Sequence, residues 1–210
     1  MKWVYALLLM GAAGAASAQS ADGERGFYVG ARAGVANYPT HPRVIVGNIN
    51  LVAKDTREED LSWGVDVGYR FSKHFAFEVG YLDLGEGTAK MVNTAGLDVR
   101  SDVRFAVRGE TLGLVTLFPI GPKWETYGKL GVLFQDVDFR LSGTQAGVPF
   151  TLSSSSKREG KLYLETGVSY RFDEHWKASL GLTHLSDIGD KDRTGRADIR
   201  NVFLGLSHPF

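Results

Sequence analysis

"SWGVDVGYRFSKHFAFEVGY", residues 62–81, contains the alternation on which the fold prediction depends. Large apolar side chains alternate there with small or charged ones, on both sides of the polar triplet 72–74. Because successive side chains of a β-strand point to opposite faces, each half of the stretch predicts a strand with one apolar face. The triplet is short enough for a tight turn. The stretch therefore predicts two antiparallel strands that share an apolar side.

The same two-residue period recurs along the rest of the chain. No segment after the N-terminus has the 3.6-residue apolar period of an amphipathic helix. The pattern predicts eight strands, which cover residues 27–37, 62–71, 75–81, 110–118, 125–139, 161–172, 176–185 and 199–210.

Short and long connections alternate between these strands. The short ones are 72–74, 119–124 and 173–175, and the long polar ones are 38–61, 85–103, 140–160 and 187–197. Strict alternation of this kind is typical of outer-membrane barrels, which have tight periplasmic turns and longer extracellular loops. The pattern also predicts that both termini lie on the periplasmic side.

The apolar face is rich in large side chains, which favours a membrane protein over a soluble sandwich. A sheet that crosses a bilayer must close on itself, because no backbone polar group can stay unpaired there. Aromatic side chains near the short links fit the interfacial girdles of such barrels. They are Tyr69, Phe71, Phe75, Trp124, Phe172, Trp176 and Phe210. We therefore predict an all-β protein, an eight-stranded antiparallel up-and-down transmembrane β-barrel.

The N-terminus predicts export. A positive start is followed by the apolar run 4–14 and by the small-x-small site 16–18, as in a secretory signal peptide. We expect residues 1–18 to be the signal peptide and residues 19–210 to form the barrel domain. The chain has no cysteine, so its stability must come from a core or a membrane and not from disulfides. Its 24 basic and 24 acidic residues leave no excess of positive charge that would suggest nucleic-acid binding.

Alternation predicts a set of charged side chains inside the barrel. They are Arg32, Asp66, Arg70, Glu78, Lys129 and Glu165, with Arg171 and Lys177 near the periplasmic mouth. Unpaired charges are costly in a narrow lumen, so each of them should find a partner. Two interpretations stay open: a salt-bridge network that closes the pore, or a small gated solute channel whose pairs exchange.

The C-terminal segment "FLGLSHPF", residues 203–210, resembles the OmpA-like family of eight-stranded outer-membrane barrels. Segments 68–86, 113–132 and 167–182 match the same family in the same order. The resemblance implies an outer-membrane protein with a structural, envelope-integrity or surface-contact role and a closed lumen. It implies contacts with outer-membrane lipids and lipopolysaccharide, and recognition by the barrel-assembly machinery through Phe210. His208 stands where family members commonly have an aromatic residue. We expect a monomer.

The sequence as given ends at Phe210. We therefore do not expect it to bring the cell-wall anchoring of longer family members, which depends on a periplasmic peptidoglycan-binding domain.

The stretch "THLSDIGD", residues 183–190, resembles a second family, the lipid A deacylases of the outer membrane. In those barrels a His-x-Ser pair lies on a late strand and an acid on the next. The resemblance implies Ser186 as nucleophile, His184 as base and Asp198 as the group that orients the base. Asp187 replaces the family's Asn, and its charge would oppose a developing oxyanion. We expect no enzyme, with the deacylase as the alternative.

No cofactor or metal is expected. The carboxylates Asp187, Asp190 and Asp192 resemble a calcium loop only loosely, because the distal glutamate of such loops is missing. No cluster of cysteine and histidine suggests a transition metal. This segment is predicted to be a solvated loop.

Overall fold

The computed structural model describes residues 25–38, 43–46, 49–93, 99–145, 148–155, 159–188 and 197–210. The predicted signal peptide, residues 1–18, lies outside the described residues. Eleven strands form in the described ranges. They are β1 Gly26–Asn37, β2 Arg43–Val46, β3 Ile49–Arg57, β4 Glu59–Ser72, β5 Phe75–Asn93, β6 Val99–Pro119, β7 Trp124–Gln145, β8 Val148–Ser155, β9 Glu159–Arg171, β10 Lys177–Ile188 and β11 Ala197–Pro209. No helix within these ranges is long and apolar enough to cross a membrane.

Eight of the strands form a closed antiparallel barrel. In barrel order they are β1, β4, β5, β6, β7, β9, β10 and β11, and each pairs with the next. The last strand, β11, pairs with β1 over ten residue pairs, from Tyr28↔Pro209 to Asn37↔Arg200. Closure gives the backbone of every barrel strand a partner on both sides. The prediction of an all-β, eight-stranded antiparallel barrel is confirmed.

The barrel has two different ends. Three short links, 73–74, 120–123 and 172–176, join strands at one end, which we call the turn end; the opposite end is the loop end. At the loop end β2 pairs with β3, β3 pairs with the far part of β5, and β8 pairs with the far part of β7. The predicted long loops therefore contain strands, and the loop prediction was wrong at 43–46, 49–57, 59–61, 85–93, 99–103, 140–145, 148–155, 159–160 and 187–188.

These strands resemble loops in the sequence because the polarity of their two faces is exchanged toward the loop end. Near the turn end the outward residues are apolar, as with Leu114 on β6 and Leu130 on β7. Toward the loop end the outward residues are charged, as with Arg108 and Asp138, while Val137 is buried inside. Lipid requires an apolar outer surface and water a polar one, so the exchange marks where the strands leave the membrane.

An apolar cluster fills the inside of the barrel at the loop end. It consists of Ala36, Tyr38, Leu82, Leu84, Phe105, Val107, Leu133, Val137, Tyr163, Leu185, Ile188 and Ile199. The Tyr38 hydroxyl donates a hydrogen bond to the Leu84 carbonyl at 2.9 Å. Burial, together with the nearby carboxylate of Asp83, raises the pKa of this hydroxyl above its usual value. The projecting part of the barrel thus has its own hydrophobic core.

A β-bulge on β5 lies where the two parts meet. The register with β6 shifts between Asp83 and Glu86, and Gly85 has a φ of 76°. The Gly85 N–H donates to Asp83 Oδ1 at 2.9 Å, and the Glu86 N–H donates to Asp60 Oδ2 at 2.7 Å. Because left-handed backbone is costly for other residues, glycine suits this position.

Glycines on the inward face make room for tyrosine rings from the neighbouring strand. Gly68 is the cross-strand partner of Tyr28, and Gly131 is the partner of Tyr163. Gly167 stands in the same relation to Tyr127. An eight-stranded barrel is just wide enough for its side chains, so a large ring needs a small residue opposite it.

We predict that Gly131→Ala destabilises the barrel by about 1–3 kcal/mol, because the added methyl overlaps its neighbours. A Cβ at Gly131 would lie 2.5 Å from the Tyr163 ring and 2.7 Å from the Leu112 carbonyl oxygen. The free energy of unfolding in urea, followed by tryptophan fluorescence in lipid vesicles, is the measurement. Gly121→Ala is the control, since a Cβ there meets nothing within 4 Å. Equal losses in both variants would contradict the steric argument.

Candidate functional site

The six predicted lumen charges come from five strands of the barrel. Arg32 lies on β1, Asp66 and Arg70 on β4, Glu78 on β5, Lys129 on β7 and Glu165 on β9. Four of them form two ion pairs in the middle of the lumen, Arg32–Glu165 and Lys129–Glu78. Arg70 pairs with a residue outside the predicted set. Asp66 has no ion pair or hydrogen bond among the described residues.

The first ion pair joins Arg32 to Glu165. Arg32 Nη1 lies 2.6 Å from Glu165 Oε2, and both side chains are about 5% exposed. The Thr183 hydroxyl donates to the same carboxylate oxygen at 3.2 Å. The guanidinium also lies over the Phe203 ring, 5.1 Å from its centroid. A cation–π contact of this kind gives the face of the guanidinium a favourable neighbour.

The second ion pair joins Lys129 to Glu78. Lys129 Nζ lies 2.5 Å from Glu78 Oε2, and the lysine is almost fully buried. The Tyr28 hydroxyl donates to the other carboxylate oxygen at 2.6 Å. Lys129 Nζ is also 5.6 Å from the centroid of the Tyr163 ring. One oxygen of Glu78 therefore has a cation beside it and the other accepts a hydrogen bond, which offsets the cost of burying the carboxylate.

Arg70 lies nearer the turn end and pairs with Glu125. The distance from Arg70 Nη2 to Glu125 Oε2 is 2.9 Å, and Lys177 Nζ reaches Glu125 Oε1 at 3.2 Å. Arg70 also donates to the backbone carbonyls of Ser72 and Lys73, which ties the 73–74 link to the barrel wall. Glu125 is a lumen residue that was not predicted from the sequence. Its alternation with Lys129 could have indicated it, because both positions are odd-numbered on one strand.

Asp66 lies in the lumen with a glycine opposite it on each neighbouring strand. Its cross-strand partners are Gly30 on β1 and Gly80 on β5, and a Cβ at Gly30 would overlap the Asp66 carboxylate. Among the described residues it makes no hydrogen bond and no ion pair. Arg32 and Lys129 are near enough for their charges to act on it.

A cavity of about 530 Å³ opens at the turn end of the lumen. Its wall includes Arg25 and Lys177 near the mouth, and Arg32, Glu78 and Glu165 deeper inside. No residue of the apolar cluster at the loop end contributes to the wall. The described lumen therefore has three levels: an open vestibule, a layer of ion pairs and an apolar layer.

The candidate hydrolase residues lie on the outer surface of β10 and β11. Ser186 Oγ and His184 Nε2 are 3.1 Å apart, so these two share a hydrogen bond on an exposed face. Asp198 Oδ1 instead accepts the backbone N–H of Asp187 at 3.0 Å, at a position where Asp187 has a φ of 56°. No contact among the described residues joins Asp198 to His184. Two of the three predicted residues thus meet, and the third is engaged elsewhere.

No group of three or more potential metal ligands occurs in the described ranges. Two of the three carboxylates of the calcium-like segment, Asp190 and Asp192, lie outside the described residues.

Comparison with known proteins identifies the family of the barrel. The model of the OmpA-like transmembrane domain matches residues 22–210. Outer membrane protein A of Serratia marcescens is 28% identical over 214 residues, which span 100% of this chain and 56% of that protein. Outer membrane protein P5 of Haemophilus influenzae is 22% identical, over 100% of this chain and 60% of that protein. The chain thus spans little more than half the length of these relatives.

Two solved structures also align with this chain. Neisserial surface protein A is 18% identical, with a TM-score of 0.46 over 88% of this chain and 97% of its own. The outer membrane protein OprG of Pseudomonas aeruginosa is 15% identical, with a TM-score of 0.45 over 89% and 97%.

We predict that Lys129→Met lowers the free energy of unfolding by about 3 kcal/mol, because it leaves the buried Glu78 carboxylate without its cation. The double variant Lys129→Met/Glu78→Leu should recover part of that loss, since both charges are then absent. Arg108→Gln is the control: it breaks an ion pair with Asp138 whose side chains are 52% and 59% exposed, and should cost less than about 1 kcal/mol. Urea unfolding in vesicles measures these three variants together with the single variant Glu78→Leu and the unchanged protein. Additive losses in the double variant would mean that the two charges do not depend on each other.

Proposed function

Because the chain belongs to the OmpA-like family of outer-membrane β-barrels and lies in the outer membrane, we propose that it is a closed barrel with a structural, envelope-integrity or surface-contact role. In this proposal the turn end faces the periplasm and the loop end faces the outside. The projecting strands then carry their charged outer surface into the medium, above the lipid. The observation that carries the proposal is the filled lumen.

Two successive layers support a closed lumen. The ion pairs Arg32–Glu165 and Lys129–Glu78 cross the middle of the barrel, and the apolar cluster follows them toward the loop end. A hydrated ion that passed the charged layer would next have to lose its water among apolar side chains, which costs several kcal/mol. A small-solute channel would need both layers to move aside.

The C-terminal residue supports contact with the barrel-assembly machinery. The Phe210 N–H donates to the Phe27 carbonyl at 2.9 Å, so the end of the chain is held at the β1–β11 seam. The His208 ring packs against the rings of Trp176 and Phe210, with centroids 5.0 Å away in each case. His208 thus takes the place of an aromatic side chain in this group. In our proposal the barrel-assembly machinery recognises the exposed Phe210. We also propose that the folded barrel is a monomer.

One observation favours lipid A deacylation as a second candidate function. The hydrogen bond between Ser186 and His184 is the contact that a serine nucleophile and its base require. The engagement of Asp198 with the Asp187 backbone removes the group that would orient the base. The exposed dyad is therefore the lesser candidate.

We predict that the purified barrel carries no steady current in planar bilayers. The double variant Lys129→Met/Glu78→Leu should stay closed, because the apolar layer remains. A triple variant with Leu133, Val137 and Ile199 changed to Ala should also stay closed, because the ion pairs remain. Only the combination of both sets should conduct. A steady current through the unchanged protein would contradict the closed lumen.

We further predict that lipid A has the same acyl chains in cells with and without the protein. Mass spectrometry of extracted lipid A is the measurement, with Ser186→Ala as the matched variant. Loss of one acyl chain that requires Ser186 would replace the proposed function by the deacylase.

A further inference from the structure

Two histidines meet at the mouth of the vestibule, at the turn end of the barrel. His175 lies in the 172–176 link between β9 and β10, and His208 lies on the last strand, β11. Their ring centroids are 5.8 Å apart, and both residues belong to the vestibule wall. Because the two residues are far apart in the sequence, their spacing gave no indication of this contact. The fold alone brings the two imidazoles together.

The separation of the rings suits two ligands of one metal ion. A bond from Zn²⁺ to an imidazole nitrogen is about 2.1 Å long, and that nitrogen lies about 1.1 Å from the ring centre. The centres of two rings on one ion are therefore at most about 6.4 Å apart. The observed 5.8 Å lies inside this limit. Imidazole is a preferred ligand of Zn²⁺ and Cu²⁺, whereas Mg²⁺ and Ca²⁺ prefer oxygen.

His208 has a ring nitrogen without a partner. Its Nδ1 atom is buried and forms no hydrogen bond with the described residues. A buried polar atom in this state is costly, and a bound metal ion would supply its partner. The contacts with the rings of Trp176 and Phe210 restrict the orientation of the imidazole. The ring is therefore placed to act as a ligand.

The other imidazole is carried by a fixed turn. Asp173 Oδ1 accepts the backbone N–H of His175 at 2.8 Å and that of Trp176 at 2.9 Å. The Phe172 N–H donates to the Trp176 carbonyl at 3.0 Å, which closes the link. Ligands that rigid elements position beforehand lose little freedom when the ion binds. The backbone thus holds His175 close to His208.

The charges around the two histidines are mixed. The basic side chains of the wall near the mouth are Arg25, Arg171 and Lys177. Lys177 already pairs with Glu125, and the carboxylates of Asp173 and Glu174 directly precede His175 in the link. The positive charges that would repel a metal ion are therefore offset by acids of the same region.

We propose that His175 and His208 bind a divalent transition-metal ion at the vestibule mouth, with water in its remaining positions. Two protein ligands are fewer than the three or four of catalytic and structural zinc sites, so the ion is exchangeable. Cu²⁺ should bind more tightly than Zn²⁺, in the general order of these metals. The bound ion would join β11 to the 172–176 link. The proposal is independent of the closed lumen, because neither histidine belongs to the layers that fill it.

The test measures Cu²⁺ binding to the purified barrel in detergent, produced without a histidine tag. Trp176 contacts His208, so a Cu²⁺ ion bound there quenches its fluorescence. His208→Phe and His175→Phe should each weaken Cu²⁺ binding about tenfold, because a single imidazole loses the advantage of chelation. Zn²⁺ should compete for the site, and Mg²⁺ should not.

His74→Phe is the matched control. His74 also lies at the turn end, but its Nδ1 is 3.0 Å from the Leu117 carbonyl oxygen, and no ring contact joins it to another histidine of the described residues. This variant should keep the Cu²⁺ affinity within about twofold. Phenylalanine keeps a ring against Trp176 in the His208 variant, and the heat-dependent shift of folded barrels on gels checks that every variant is folded.

Unchanged Cu²⁺ affinity in His175→Phe and His208→Phe, or an equal loss in His74→Phe, would overturn the site. Competition by Mg²⁺ at the concentrations at which Zn²⁺ competes would also overturn it, because carboxylate oxygens and not imidazoles would then hold the ion.

Discussion

The pairing of β11 with β1 is the constraint on which the rest of the barrel depends. In a bilayer an unpaired strand edge would leave a row of backbone groups without partners. Closure after eight strands removes both edges, and it also makes the interior narrow. From the narrowness follow the inward glycines opposite tyrosine rings, and the need for each lumen charge to meet its partner directly. The Phe210–Phe27 hydrogen bond continues the same seam to the last residue.

Charged side chains in the lumen are stabilised in different ways along its length. At the turn end, Arg70 and Lys177 lie in the wall of an open vestibule, and both pair with Glu125. Deeper, Arg32–Glu165 and Lys129–Glu78 are almost fully buried, and aromatic rings and hydroxyls supply further contacts. Beyond them most of the interior is apolar, although Gln135 and the hydrogen-bonded pair Ser62–Asn201 are also buried there. This order lets water reach the outermost charges and leaves the dry part of the barrel to hydrophobic packing.

The alternation in residues 62–81 and its repeats were enough to predict the closed eight-stranded barrel, because lipid imposes one polarity on every spanning strand. Alternation did not predict the parts of β5, β6 and β7 that project into water, because their apolar side chains point inward there and their polar outer face has the composition of a loop. Alternation also indicated which charges face the lumen but not which of them meet. The partner of Arg32 is 133 residues away, and that pairing depends on the register of several intervening strands.

On the outer surface, the shared face of His184 and Ser186 was predictable from their spacing. The loss of Asp198 as their third partner was not, because it follows from the bulge between Leu185 and Ile188 and the left-handed backbone at Asp187. A bulge displaces side chains by a local change of backbone that residue spacing does not indicate.

The glycine–tyrosine pairs have a consequence for assembly. Strands β7 and β9 each supply one tyrosine and one glycine to these pairs: Tyr127 faces Gly167, and Tyr163 faces Gly131. The smallest slip of one strand that keeps its apolar side outward is two residues. Such a slip would bring both rings against larger side chains at once, Tyr127 against Glu165 or Ser169, and Tyr163 against Lys129 or Leu133. A barrel with this register slip would therefore have too much side-chain volume inside to close. The inward glycines thus favour the correct register of β7 and β9.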